Sequence, residues 1–356
     1  MNSFENKSLI YYKIFTFEMN KNPKVSIIIP FYYSEDYLIR IYINILEQSL
    51  KDIEIIFIDD GSPDNGSKII ENLQKNDKRI ILLKNKKNKG LFYSRIRGAI
   101  AAKGEYIQFV DSDDLLTDYI IEKAYKIGKK NNIDIIQYKM IKEKENKRFI
   151  FFIEMEKEDI IYQPELSSIM YYGKGKLQQA LFFIVNKLIK RERFLQTLIY
   201  IGNNIINENL FFQEDAMQLF CLLRVAKSLF IMKDIGYYYL RRKIYKSNFV
   251  NSANEIFHDN FIELKLIFNK TKNNKRDKDI CLAYFRMINM VYSNVAKYIT
   301  KGYELFDEVF TLLLNCEHFD INSKAKFNTL KNKMMLNRKD LSNNNNYTYS
   351  NNNNYI

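Results

Sequence analysis

A chain of 356 residues with 47% apolar side chains can bury a large core, and its 11 Gly and 4 Pro argue against a loop-rich all-β architecture. Cys221, Cys281 and Cys316 lack metal-ligand spacing and cannot all pair, and with His258 and His318 the sole histidines any general base is expected to be a carboxylate. The net charge of +13 is spread among 42 acids, as on a lysine-rich surface or one drawn to an anionic membrane, and not gathered into the arm or motif of a nucleic-acid binder.

The chain opens on residues 1–22, which have no place in the pattern that follows. No apolar run approaches the ~20 residues of a membrane span. Residues 8–17 are interrupted by Lys13 and flanked by Glu5 and Glu18, so no signal peptide is expected. Met19 lies just ahead of the first strand and is the expected natural start of translation.

Residues 25–29 form a β-branched run of strand length, stopped at Pro30. Residues 35–48 have helical spacing, with Leu38, Ile41, Tyr42, Ile45 and Leu46 on one face. A second strand (53–58) ends on Asp59-Asp60-Gly61-Ser62, and Asn65-Gly66 turns into a helix over 67–74. A third strand (80–83), a helix (90–102) and a fourth strand (106–110) follow. Strands alternating with helices imply right-handed βαβ units and a mostly parallel sheet.

After Asp114 a helix is expected to about Asn131, then a strand over 133–141. The charged segment 142–148 reads as a hairpin or exposed turn before the apolar 149–153. Residues 216–226 are amphipathic. Helical spacing dominates 252–336, and 342–354 are Asn-rich and are expected to be disordered.

The acids fall where strands end. Asp111-Ser112-Asp113-Asp114 follows the fourth strand, and in an open α/β sheet ligands bind at that edge. Three acids in four residues are either a solvated helix cap or a site for a hard divalent cation, Mg²⁺ or Mn²⁺. Tyr32 offers a stacking face for a nucleobase, or simple packing. Asp60 can accept from a base N–H, or cap the turn before Gly61. Glu214-Asp215 either holds a catalytic carboxylate or complements a helix dipole. No G-x-G-x-x-G or G-x-x-x-x-G-K-[ST] is present, so a phosphate-bearing ligand needs metal and side-chain contacts.

Taken together, the chain from about Pro23 to Arg242 resembles the family 2 glycosyltransferases, inverting enzymes of the GT-A fold. Residues 30–38 (PFYYSEDYL) resemble the family's P-x-Y-N-x-E-x-Y-L, and 59–64 (DDGSPD) resemble D-D-G-S-T-D. Asn88-Lys89-Gly90 with Ser94-Arg95 and Gly98 resembles N-x-G-x-x-x-A-R-N-x-G, and Asp111-Ser112-Asp113 resembles D-x-D. Residues 186–191 (NKLIKR), Glu214-Asp215 and 237–241 (YYYLR) resemble the remaining motifs in order. Tyr33 and Ile96 stand where the family usually has Asn.

The resemblance implies a GT-A, Rossmann-like, mostly parallel sheet with an acceptor-side insertion, and the helical spacing beyond it reads as a C-terminal helical unit. The expected organisation is an N-terminal extension (1–22), a nucleotide-sugar half (23–131), an acceptor-side half (132–245), a helical region (246–340) and a tail (341–356). Pro30, Tyr32, Glu35, Asp60 and Asp111 would bind a nucleotide-sugar, with Tyr32 and Asp60 at the base and Asp111 at the ribose. Asp113 would bind Mn²⁺ or Mg²⁺, Asp114 would serve the loop or helix start, and Asp215 would be the general base. The expected partners are a nucleotide-sugar, most simply a UDP-sugar, and a glycan or lipid-linked glycan acceptor. A cytoplasmic location with peripheral contact at the inner face of the membrane is the corresponding expectation. Nucleotidyl transfer and a non-catalytic binding or scaffold module on the same fold are the alternatives.

Overall fold

The computed structural model describes residues 23–144, 147–151, 158–163, 183–202 and 214–240, with the single positions Leu166, Ile206, Leu266, Ala325, Asn328 and Asn332. The chain divides into two compact units, Met1–Tyr245 and Lys246–Ile356. The N-terminal extension with Met19, the helical spacing over 252–336 (apart from four single positions) and the Asn-rich tail lie outside the described residues.

Three βα repeats build the first half. Strands β1 (Val25–Phe31), β2 (Ile53–Asp59), β3 (Ile80–Lys84) and β4 (Tyr106–Phe109) alternate with helices α1 (Glu35–Glu47), α2 (Gly66–Asn76) and α3 (Gly90–Ala101). Beyond them come β5 (Leu115–Leu116), α4 (Ile120–Asn131), β6 (Ile135–Lys144), β7 (Lys147–Phe151), β8 (Asp159–Tyr162), β9 (Lys187–Lys190), α5 (Arg191–Ile201), α6 (Glu214–Val225) and β10 (Ser228–Tyr239).

One sheet joins the strands in the order β3-β2-β1-β4-β9-β6-β10-β5, with β7 beside β6 and β8 beside β10. Strands β3, β2, β1, β4, β6 and β10 all point the same way, and β9 runs against β4 and β6. The expected mostly parallel α/β sheet is therefore present. Its centre is dry: Ile27, Ile28, Ile29, Ile55, Ile56, Phe57 and Ile58 are fully buried. A strand covered on both faces reads as a continuous apolar run, which is why β1 and β2 were legible.

Pro30 does not end β1 as expected. The strand continues to Phe31, with Pro30 opposite Ile58. Pro30 faces the side of β4, whose pairing with β1 stops at Ile28, so its missing N–H removes no ladder bond. The expected helix from Asp114 also starts later, at Ile120, because Leu115 and Leu116 pair with Tyr238 and Tyr237 of β10. Leu38, Ile41 and Ile45 make the buried face of α1, whereas Leu46 is exposed. The anticipated hairpin is there as β6 and β7, paired from Lys144 with Lys147 to Met140 with Phe151.

Candidate active site

The loops leaving β1 and β2 are tied to each other. The Asp64 carboxylate accepts the Glu35 N–H and the Gly66 N–H, each at 3.0 Å, and the Ser62 hydroxyl at 2.7 Å. The Glu35 carboxylate accepts the Asn65 N–H at 2.9 Å. Burial pushes the Asp64 carboxyl up, but the bonds donated by Ser62, Glu35 and Gly66 outweigh it and hold the group below its ordinary range. Tyr33 sits in this frame with φ +49°, a left-handed conformation that Asn tolerates better than Tyr. It donates its N–H to Ser62 Oγ and meets the half-buried Tyr32 edge-on, with ring centroids 4.8 Å apart.

Asp59, the last residue of β2, anchors the turn before Gly61. It accepts the Ser62 N–H at 2.7 Å and the Ser67 hydroxyl. Asp60 is turned the other way, toward the start of α3. It accepts the Lys89 N–H at 2.9 Å, the Gly90 N–H at 2.8 Å and the Asn85 amide at 2.6 Å. A carboxylate at a helix N-terminus is favoured by the unpaired N–H groups there. Burial nevertheless dominates and raises the Asp60 carboxyl above its ordinary value.

The tetrad after β4 is fixed from two sides. On the α1 side, Arg40 Nη2 donates to the Asp113 carbonyl at 2.5 Å, and Ser112 Oγ donates to Ser34 Oγ at 2.9 Å. Asn44 exchanges two 2.9 Å bonds with the Leu116 backbone. On the β10 side, the Tyr237 hydroxyl donates to Asp114 at 2.7 Å and accepts the Asp111 N–H at 3.1 Å. The Leu240 N–H donates to Asp114 at 2.8 Å. Asp114 thus holds the loop, in line with its expected role. Burial, then the charge of Asp111, push its carboxyl up.

Arg95 on α3 is buried, with its side chain 2% exposed. Its Nη2 donates to Asp111 at 2.9 Å, and its Nη1 donates to Asp215 and lies 3.4 Å from Glu214. Two acidic motifs about a hundred residues apart in sequence therefore meet on one guanidinium. Burial works against the Arg95 charge, but Asp215, Asp111 and Glu214 together hold it firmly protonated. Three close carboxylates cannot all be ionised beside one cation at no cost. Burial, then the charge of Asp215, raise the Glu214 carboxyl. Asp215 is also raised, by burial first and then, against the pull of Arg95, by Asp111.

Lys187 closes the far side. It is fully buried, it donates to Asn186 Oδ1 at 2.9 Å and to the Phe183 carbonyl, and burial pushes its amine down to about 7. Tyr239 faces the same acids. Burial, then Asp114 and Asp111, raise its phenol to about 12, and Lys142 lies 4.6 Å from its ring centre.

The geometry thus gathers Asp111, Asp215 and Glu214 around Arg95, while Glu35 and Tyr32 belong to the neighbouring loop frame, Asp60 to the start of α3 and Pro30 to the strand β1. Sequence reasoning assigned no role to Arg95, Tyr237 or Lys187. For Arg95 the signal lay in its register, one long cation on a helix face that otherwise carries the buried Phe92, Ile96 and Ala99. Ile96, the departure from the family's Asn, is 2% exposed and simply packs.

An open, mostly parallel sheet with acids collected where its strands end defines an α/β protein of the class in which ligands bind at that edge. Residues 26–204 match the description Glycosyl transferase family 2, and the chain belongs to that family. It is 30% identical over 234 residues to the glycosyltransferase EpsJ of Bacillus subtilis, a match covering 66% of this chain and 64% of EpsJ. It is 29% identical over 221 residues to the glycosyltransferase GlyG of Streptococcus pneumoniae, covering 61% and 71%. In fold it is similar to the crystal structure of S. aureus TarS 1–349 in complex with UDP. The TM-score is 0.62 at 16% identity, covering 93% of this chain and 94% of that one. The GT-A architecture expected from the sequence stands.

Proposed function

We propose that the protein is an inverting glycosyltransferase that moves a sugar from a nucleotide-sugar, most simply a UDP-sugar, to an acceptor hydroxyl. The observation that best supports this reading is the meeting of Asp111 and Asp215 on Arg95, because a donor-binding acid and a general base have to lie close together in such a transfer. Crystal structures of TarS in complex with UDP and with UDP-GlcNAc support the donor class.

In this reading Tyr32 and Asp60 take the base and Asp111 accepts from a ribose hydroxyl. Asp215 accepts the proton of the attacking acceptor oxygen. A bond forms from that oxygen to the anomeric carbon, the bond to the diphosphate oxygen breaks, and the nucleoside diphosphate leaves. A single displacement inverts the anomeric centre. A base of this kind contributes about 10²- to 10⁴-fold. It must be ionised to work, and because burial and Asp111 raise the Asp215 carboxyl, the acid limb of the rate should lie higher in pH than an unperturbed aspartate would set it.

Among the described residues no group of three or more His, Cys, Asp or Glu side chains is arranged to hold a metal. Mg²⁺ and Mn²⁺ beside nucleotides need less, because substrate phosphates and water supply most of their oxygens. The Asp113 carboxylate, on a loop clamped from both sides, fits that donor set. A cation held by Asp113 and the donor diphosphate would neutralise charge growing on the leaving group. For the acceptor the reading takes a glycan or lipid-linked glycan, with peripheral membrane contact through the basic surface and no nucleic-acid partner.

A thermal-shift screen of nucleotide-sugars with and without Mn²⁺ tests the reading. A ligand at 100 times its Kd stabilises the folded state by about 2.7 kcal/mol, so one UDP-sugar should raise Tm in a metal-dependent way. Asp113→Ala should lose the metal-dependent part. No shift from any nucleotide-sugar at millimolar concentration would count against the function.

A further inference from the structure

Burying a guanidinium costs several kcal/mol unless it is paired, and an apolar side chain of similar volume would fill the same space on α3 without that cost. Arg95 has further drawbacks as a packing element, since its buried Nε has no hydrogen-bond partner among the described residues. An unsatisfied buried donor is destabilising. Its two Nη ends are spent on carboxylates from separate parts of the chain, Asp111 at the end of β4 and Asp215 at the start of α6. The planar fork of Arg can hold two such groups at a fixed spacing, which a lysine ammonium cannot do.

We propose that Arg95 is a positioning residue that clamps Asp111 and Asp215 into one unit, so that the aim of the base is tied to the donor side of the site. The inference rests on the reading of Asp215 as base. Among the described residues, the charged groups that act most strongly on Asp215 are consistent with it. Arg95 comes from α3, Asp111 from the end of β4, Lys187 from β9 and Glu214 from α6 itself, and the Ile184 N–H points at the second carboxylate oxygen at 3.5 Å. Arg95 is the group among these that hydrogen-bonds both acids. A ribose hydroxyl bound by Asp111 would therefore act on the same guanidinium that orients the base.

The test uses the full chain with Mn²⁺ and the UDP-sugar that gives the fastest UDP release. The pH–rate profile and the UDP affinity are measured for wild type, Asp215→Asn, Arg95→Met and Arg95→Lys. Arg95→Met removes the cation, and the acid limb should move up by about one pH unit or more, with UDP binding weakened. Arg95→Lys keeps the charge and loses the fork. Its acid limb should stay near the wild-type position while kcat falls by about tenfold or more. Merely structural damage would lower the amplitude of both profiles without separating the limb from kcat. If Arg95→Met fails to fold, Arg95→Lys decides alone. Its kcat at the wild-type value would overturn the inference, and a loss of about tenfold with UDP binding retained would uphold it. Loss of transfer in Asp215→Asn beside Arg95 profiles that superimpose on wild type would remove this inference and leave the base in place. Full transfer by Asp215→Asn would remove the base reading and this inference with it.

Discussion

Asp64 illustrates how one carboxylate can tie two loops together. Its oxygens collect N–H and O–H donors from both the β1 and β2 loops, and the Glu35 carboxylate returns a bond to Asn65. Glu35 was read from the sequence as a donor-binding residue, and the structure places its carboxylate in this cross-tie. The Asp64 carboxyl lies below its unfolded value, so its stabilisation is complete above about pH 4 and is lost as pH falls through the depressed folded value. Asp64→Asn should lower stability at pH 7 by about 1 kcal/mol, the low end for charge-assisted bonds at a partly exposed group. Urea unfolding at pH 7 and again near pH 2.5 checks the sign, because the gap between variant and wild type should close in acid. A gap that persisted would show that the ionised form is not what matters. The left-handed Tyr33 belongs to the same frame, where this chain departs from the family's Asn.

At the scale of the element, α3 carries most of the arrangement. Its first N–H groups hold Asp60, its middle delivers Arg95, and Gly98 lets it lie close against the sheet. A Cβ built on Gly98 would sit 2.4 Å from Ile28 Cγ2 and 2.9 Å from Ile58 Cδ1. Both partners are fully buried β-branched or long aliphatic side chains in the sheet centre, so neither can give way cheaply. Gly98→Ala should destabilise by about 1–3 kcal/mol despite the better helix propensity of Ala, which recovers at most about 1 kcal/mol. A chemical-denaturation midpoint unchanged from wild type would mean that α3 has room to shift. The position of α3 was legible from its apolar spacing and from Gly90. What Arg95 touches was not legible, because its partners come from the ends of β4 and α6 and only the closed sheet brings them together. Strand β9 was also missed. It is four residues long with a lysine at each end, and Lys187 is buried by tertiary packing that no local pattern announces.

For the whole molecule, the parallel core could be read from the short, mostly apolar runs of β1, β2, β3 and β4, of which β1, β2 and β4 are buried along their length and β3 is buried only at Ile80. The later strands were harder. β10 has register shifts against β6, and β5 is a two-residue strand that borrows Tyr237 and Tyr238 as partners. Among the described residues no helix is long and apolar enough to cross a membrane. Carboxylate positions were readable because acids stand out at strand ends. Which of them share a cation was not: Asp111 and Asp215 meet on Arg95, while Asp114 is bonded to Tyr237 and Leu240 and Asp60 to the start of α3. The central claim is that Asp215 is the base of a sugar transfer, and the most direct measurement compares transfer and UDP binding in wild type and Asp215→Asn. UDP binding should be retained, and transfer should fall by about 10²- to 10⁴-fold across the pH range. Transfer by Asp215→Asn at the wild-type rate would contradict it.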